Sequence, residues 1–109
     1  MRTVLVTLSL ISLYVATASA ADANAGKAVY DRACKSCHGP DGTANPAIAK
    51  MMKVEIQDLK SPEVQSTSND EMKKVITEGK GKMRAMPSIS GADLDNVVAY
   101  VYSLKKSRQ

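Results

Sequence analysis

The chain has 109 residues, 44% of them hydrophobic and 24% charged, the balance of a soluble globular protein with room for one domain. Its formal net charge is only +4 and its aromatic residues are four Tyr, which excludes the basic stripe and stacking platform of a nucleic-acid binder. Two Cys and one His are too few for a disulfide-stapled scaffold or a many-ligand metal site.

In chain order, Met1-Arg2 is followed by an apolar run from Val4 to Val15, broken only by Thr7, Ser9 and Ser12, and then by Ala18-Ser19-Ala20. A short cationic start, an apolar centre and small residues at alternate positions read as a signal peptide over residues 1–20, cleaved after Ala20. The rival is an uncleaved anchor, but the run from Thr3 to Ala20 spans only about 27 Å as a helix, borderline for a bilayer. Export to the periplasm is the expectation, with residues 21–109 as the working domain. Removing 20 of 109 residues leaves 89, with 14 basic and 11 acidic side chains and three Tyr as the sole aromatics. So small a domain is short of large core-filling groups, and something other than polypeptide should occupy its middle.

Asn24 is placed to cap a helix that carries Ala25, Ala28, Val29 and Ala33 toward Cys34. Gly39-Pro40-Asp41-Gly42 is a turn. Asn45-Pro46 reads as an N-cap followed by Pro in the first helical position, opening a segment through Met51 or Met52, and Ser61-Pro62 repeats that signal. Ser68-Asn69-Asp70-Glu71 has the spacing of a capping box, with Met72, Val75 and Ile76 at i, i+3 and i+4 behind it and Gly79 as the stop. Ser90 and Asp93 mark a last start, after which Leu94, Val97, Val98, Val101 and Leu104 form one apolar stripe ending in Lys105-Lys106-Ser107-Arg108. No alternating strand pattern competes, so the domain is predicted to be all-α, with short helices and much loop.

Cys34-Lys35-Ser36-Cys37-His38 gathers both cysteines and the only histidine into five consecutive positions. The arrangement fits covalent haem c: two thiols add to the two porphyrin vinyl groups, and the adjacent imidazole reaches the iron from the same side. A thioredoxin-like dithiol also spaces two Cys by two residues, but it wants a strand before the motif and a helix after it, where this chain has a helix before and a turn after. A structural disulfide and a zinc site are the weaker rivals. With no second His, the soft donors for the other axial position are Met51, Met52, Met72, Met83 and Met86. Met72 belongs to a helical stripe, and Met51 and Met52 close a short helix as gap-fillers. That leaves Met83 and Met86 in the loop from Gly79 to Pro87, where two glycines let the backbone lie close against a flat ring.

On these residues the chain resembles the small monohaem class I cytochromes c of bacteria over nearly all of residues 21–109. The resemblance takes in the helix with Gly26 and Tyr30 before Cys34 to His38, the turn from Gly39 to Gly42, a Gly-rich loop bearing a Met, and a last helix with Tyr100. It implies a compact fold of short helices around one covalently attached haem, with Gly26 and Tyr30 on the first helix crossing Val97 and Tyr100 on the last. The family ligand often precedes Pro, as in Met86-Pro87, yet the run Gly79-Lys80-Gly81-Lys82-Met83 and its separation from the last helix match the family better. Met83 is favoured as the ligand and Met86 is the alternative. The resemblance also implies that the carbonyl of Pro46 accepts the second N–H of His38, fixing the ring.

Lys73, Lys74, Lys80, Lys82 and Arg84 fall near that loop, either as a solvated face or as a docking ring for acidic redox partners. The expected role is a periplasmic, monomeric electron carrier with His/Met ligation and no small-molecule substrate. Two other readings are an electron-entry subunit of a larger oxidoreductase and an open-site haem enzyme or gas sensor. No constellation for hydrolysis or group transfer is present.

Overall fold

The computed structural model describes residues 13–14 and 20–105. The expected signal peptide lies outside the described residues apart from Leu13, Tyr14 and Ala20, all three of which are exposed. Six helices follow: α1 (Ala23–Ala33), α2 (Lys35–His38), α3 (Pro46–Met52), α4 (Pro62–Gln65), α5 (Asn69–Glu78) and α6 (Gly91–Ser103). Among the described residues there is no strand element, only an isolated bridge between Lys80 and Met83. The all-α expectation holds.

Local chemistry sets most helix starts. The side chains of Asn45, Ser61 and Ser68 accept from amides in the first turns of α3, α4 and α5, with Pro46 and Pro62 at the first helical positions as expected. The start of α1 differs: Asp22, not Asn24, is the cap, its carboxylate accepting from the amides of Asn24 at 2.8 Å and Ala25 at 3.3 Å. The reason is tertiary. The Asp22 amide donates to the Asn96 side chain of α6 at 2.8 Å, which fixes the cap where the two helices meet.

The core lies where α1 crosses α6 and α5 closes over them. Val29 and Tyr30 of α1 meet Val97, Val98 and Val101 of α6, with Met72 and Ile76 of α5 and Ile89 completing the buried cluster. The predicted stripe on α6 is therefore the buried face, with Leu94 partly covered. Gly26 makes the crossing possible: a Cβ there would sit 1.9 Å from the Asn96 carbonyl oxygen and 2.9 Å from Tyr100 Cβ. Beside it the Tyr30 and Tyr100 rings pack with centroids 5.0 Å apart and planes tilted by 57°, a favourable aromatic geometry. The crossing inferred from the resemblance is present in detail.

One buried charge carries no signal in the sequence. Lys60 is 8% exposed, and its ammonium donates to Thr43 Oγ1 at 2.6 Å and to the Asp41 carbonyl at 3.2 Å, with Asp58 Oδ1 at 3.3 Å. The Leu59 amide donates to the Gly42 carbonyl at 3.0 Å, so the 58–61 turn and the 41–43 loop are clasped together. Gln65 extends the clasp, its side-chain amide donating to Leu59 at 2.7 Å and to Val101 of α6 at 3.0 Å.

Two expectations about stability follow from these contacts. For Gly26→Ala, helix propensity alone favours Ala by about 1 kcal/mol. A 1.9 Å approach to a backbone oxygen has no rotamer that relieves it, so the helices must separate; the net loss is expected to be about 2 kcal/mol in a urea titration of haem-loaded protein. For Lys60→Met, the loss of a buried donor whose acid partners are themselves half in water should cost about 1–2 kcal/mol, below the range for a fully buried pair.

Candidate functional site

The backbone of the motif is a hinge followed by one helical turn. Helix α1 ends at Ala33, and the Cys34 amide still donates to the Tyr30 carbonyl at 2.8 Å. Cys34, at φ −119° and ψ −33°, separates the two helices, and Lys35–His38 form α2, with the Cys37 and His38 amides donating back to the Cys34 carbonyl at 3.2 and 3.0 Å. The expected order of helix, motif and turn is refined: the motif is itself a turn of helix. Gly39 ends it, and its carbonyl accepts from the buried Tyr30 hydroxyl at 2.6 Å. The loop leaving the motif is thereby pinned to α1.

The two cysteines form no disulfide; Cys34 is buried and Cys37 half-buried. Burial pushes the Cys34 thiol up to about 11. Burial also lowers the pKa of His38, favouring the neutral imidazole, the form that ligates metals. Its Nδ1 is enclosed with no hydrogen-bond partner, and such an unmet buried group costs about 1–3 kcal/mol. A half-buried imidazole kept neutral, with one cysteine beside it and another four residues before it on the same turn, is the donor set that covalent haem c requires.

The expected bond from His38 to the Pro46 carbonyl is not made through that nitrogen. Pro46 is the first residue of α3, where helix geometry turns the carbonyl along the helix toward the amide four residues on. Asn45 instead makes the connection: its amide donates to the Cys37 carbonyl at 3.0 Å and its side chain to the Ser36 carbonyl at 3.1 Å. Asn45 is legible in the sequence as a cap, but its second grip on the motif is not.

The five methionines separate by environment. Met72 is buried in the core as expected, whereas Met51 is 71% exposed and fills no gap. Met86 packs against the core cluster, its amide donating to the Ile76 carbonyl at 2.9 Å. It also lines a groove of about 480 Å³ between Arg32 and Ala33 of α1 and the Arg84–Ile89 segment. Met83 is half-buried and closes a tight turn in which Lys80 and Met83 exchange backbone hydrogen bonds at 3.0 and 3.1 Å. Gly79, at φ 80°, lets this loop fold onto itself, since a Cβ would lie 2.6 Å from the Met83 carbonyl oxygen.

The basic side chains near the loop do not form one uniform set. Lys74, Lys80, Lys82 and Arg84 are exposed. Lys73 is half-buried and pairs with Asp95 at 2.7 Å, tying α5 to α6. The Lys82 ammonium donates to the Met52 carbonyl at 2.6 Å, a contact across thirty residues with no sequence signal.

Residues 21–101 match the protein family described as cytochrome c oxidase, cbb3-type, subunit III. The chain is also 33% identical over 91 residues to cytochrome c-554(547) of Halothiobacillus neapolitanus, an alignment that spans 79% of this chain and all of the relative. Both comparisons meet on the segment that holds the motif, the core crossing and the methionine loop, and a domain of this kind carries covalently bound haem c for electron transfer. The chain belongs to the cytochrome c family.

Proposed function

We propose that the chain is an exported, diffusible one-electron carrier rather than an enzyme, with haem c held by Cys34 and Cys37 and its iron held between His38 and Met83. The observation that carries this reading is that Cys34, Cys37 and His38 meet on a single helical turn, with no disulfide between the cysteines and burial favouring the neutral imidazole. Haem c supplies a one-electron couple when bound. The work of the polypeptide is to hold and shield. Cys34 and Cys37 tether from a rigid turn, His38 presents a neutral donor, and the Val29, Ile76 and Val97 layer keeps water from the interior. A thioether on the second side favours the ferrous state and closes the iron to small molecules, which suits a carrier and not an open-site enzyme or gas sensor.

Met83 is preferred to Met86 because the Met86 side chain is already engaged with the core, while Met83 stands on a turn free to present its sulfur. The periplasm is inferred from the leader at residues 1–20, and no helix among the described residues is long and apolar enough to cross a membrane. The exposed Lys74, Lys80 and Arg84 suit acidic redox partners, steering encounter more than tightening it. A second reading, that of a fixed oxidase subunit, is favoured by the name of the matched family, and a stoichiometric oxidase retained through purification would select it.

Two measurements test the proposal. Met83→Ala should abolish the weak red iron–thioether absorption band of the haem-loaded protein while Met86→Ala retains it; the reverse pattern reassigns the ligand to Met86. Electron-transfer rate to an acidic partner protein should fall steeply as salt rises, since exposed charges are screened beyond about 10 Å at 0.1 M ionic strength. A rate indifferent to salt counts against the basic docking face.

A further inference from the structure

Helix α3 connects the two sides of the site. At its start, Asn45 grips the carbonyls of Ser36 and Cys37 in the motif. At its end, the Met52 carbonyl, one of the last four that no intrahelical amide can reach, accepts from the Lys82 ammonium at 2.6 Å. Lys82 immediately precedes Met83. Two other end carbonyls of α3 are served by the chain that directly follows it, Ala49 by the amides of Lys53 and Val54 and Lys50 by that of Lys53. Lys82 therefore fills a place at the helix end that the local chain leaves open, and its positive charge also suits the negative end of the helix dipole.

The loop tip has little else to hold it. A Cβ at Gly81 would meet nothing within 4 Å, and Lys80, Gly81 and Lys82 are exposed. The reciprocal Lys80–Met83 bonds shape the turn but tie it only to itself.

We infer that Lys82 is a positioning residue: its bond to the end of α3 is a strap that holds the 79–83 loop shut and keeps Met83 seated on the iron. This deepens the Met83 assignment and rests on it. It makes Lys82 different in kind from its neighbours Lys80 and Arg84, which share its charge and exposure but show no such tie. The consequence is that the sixth side of the site opens at a rate governed by one surface hydrogen bond, relayed through α3 to the same peptide segment that carries His38.

The test uses haem-loaded wild type, Lys82→Ala and Lys82→Arg. Two rates are read: entry of imidazole into the ferric protein, which requires the thioether to leave, and hydrogen exchange of the Lys80 and Met83 amides, which requires the loop to open. Losing one charge-assisted but solvent-exposed bond should raise both rates in Lys82→Ala by about fivefold. Lys82→Arg, which keeps a charged donor of sufficient reach, should bring both back to within about twofold of wild type, since the same bond is restored. The urea midpoint should be the same in all three, separating loop opening from general loosening. Wild-type imidazole entry in Lys82→Ala overturns the strap, as does acceleration that Lys82→Arg fails to reverse. If instead the red band survives in Met83→Ala, the ligand assignment has failed. The strap is then judged on amide exchange alone, upheld if Lys82→Ala exchanges faster and overturned if it does not.

Discussion

The contact on which the remaining structure depends is the close approach of α1 and α6 at Gly26. A helix pair normally keeps its axes about 8–10 Å apart, a spacing set by the side chains between them. Here the missing side chain brings the Asn96 carbonyl to where a Cβ would stand. The approach sets the direction in which α1 leaves the crossing, and that direction delivers Tyr30 into the core and Cys34 to the end of the helix. Because the Tyr30 hydroxyl then holds the Gly39 carbonyl, the position of the whole segment from Cys34 to His38 is decided by packing one to three turns away. The site is rigid because the crossing is tight.

A second layer of constraint is polar. The loop that follows the motif is fastened at Gly39 by Tyr30, at Asp41 and Thr43 by Lys60, and at Asn45 by its own grip on Cys37 and Ser36. All but the tie to the Thr43 hydroxyl satisfy a backbone carbonyl, in the loop itself or at the end of α2. The Lys60 ammonium donates to two oxygens and pairs with the Asp58 carboxylate, which is how a lysine tolerates near-complete burial. Irregular chain around a cofactor site is thus made stiff without strands or long helices.

What the sequence disclosed follows from the range of the interactions involved. Caps at Asn45, Ser61 and Ser68, the Gly79 stop and the stripe from Leu94 to Leu104 are set by residues within one or two turns, so spacing reveals them. The five-residue motif is equally local, because covalent attachment demands adjacency. The shift of the α1 cap to Asp22, the burial of Lys60, the pairing of Lys73 with Asp95 and the tie from Lys82 to Met52 all join residues 17 to 74 positions apart. No periodicity encodes such pairs. A run of lysines therefore looked uniform when its members have three different employments. The Pro46 expectation came from resemblance alone, and His38 Nδ1 has no hydrogen-bond partner.

Covalent attachment answers a specific weakness of this interior. Among the described residues the only fully buried side chain larger than Val is Tyr30, and the buried cluster is otherwise built from Val, Ile, Met and one Cys. A dissociable cofactor would stabilise such a core only in proportion to its free concentration, through RT ln(1 + [L]/Kd), and would leave whenever that concentration fell. Tethering removes the concentration from the expression, so the apolar surface the porphyrin contributes is present in every molecule and in the unfolded chain as well. The unfolded chain then carries a large apolar group of its own, which favours recollapse around it and narrows the ensemble to be searched.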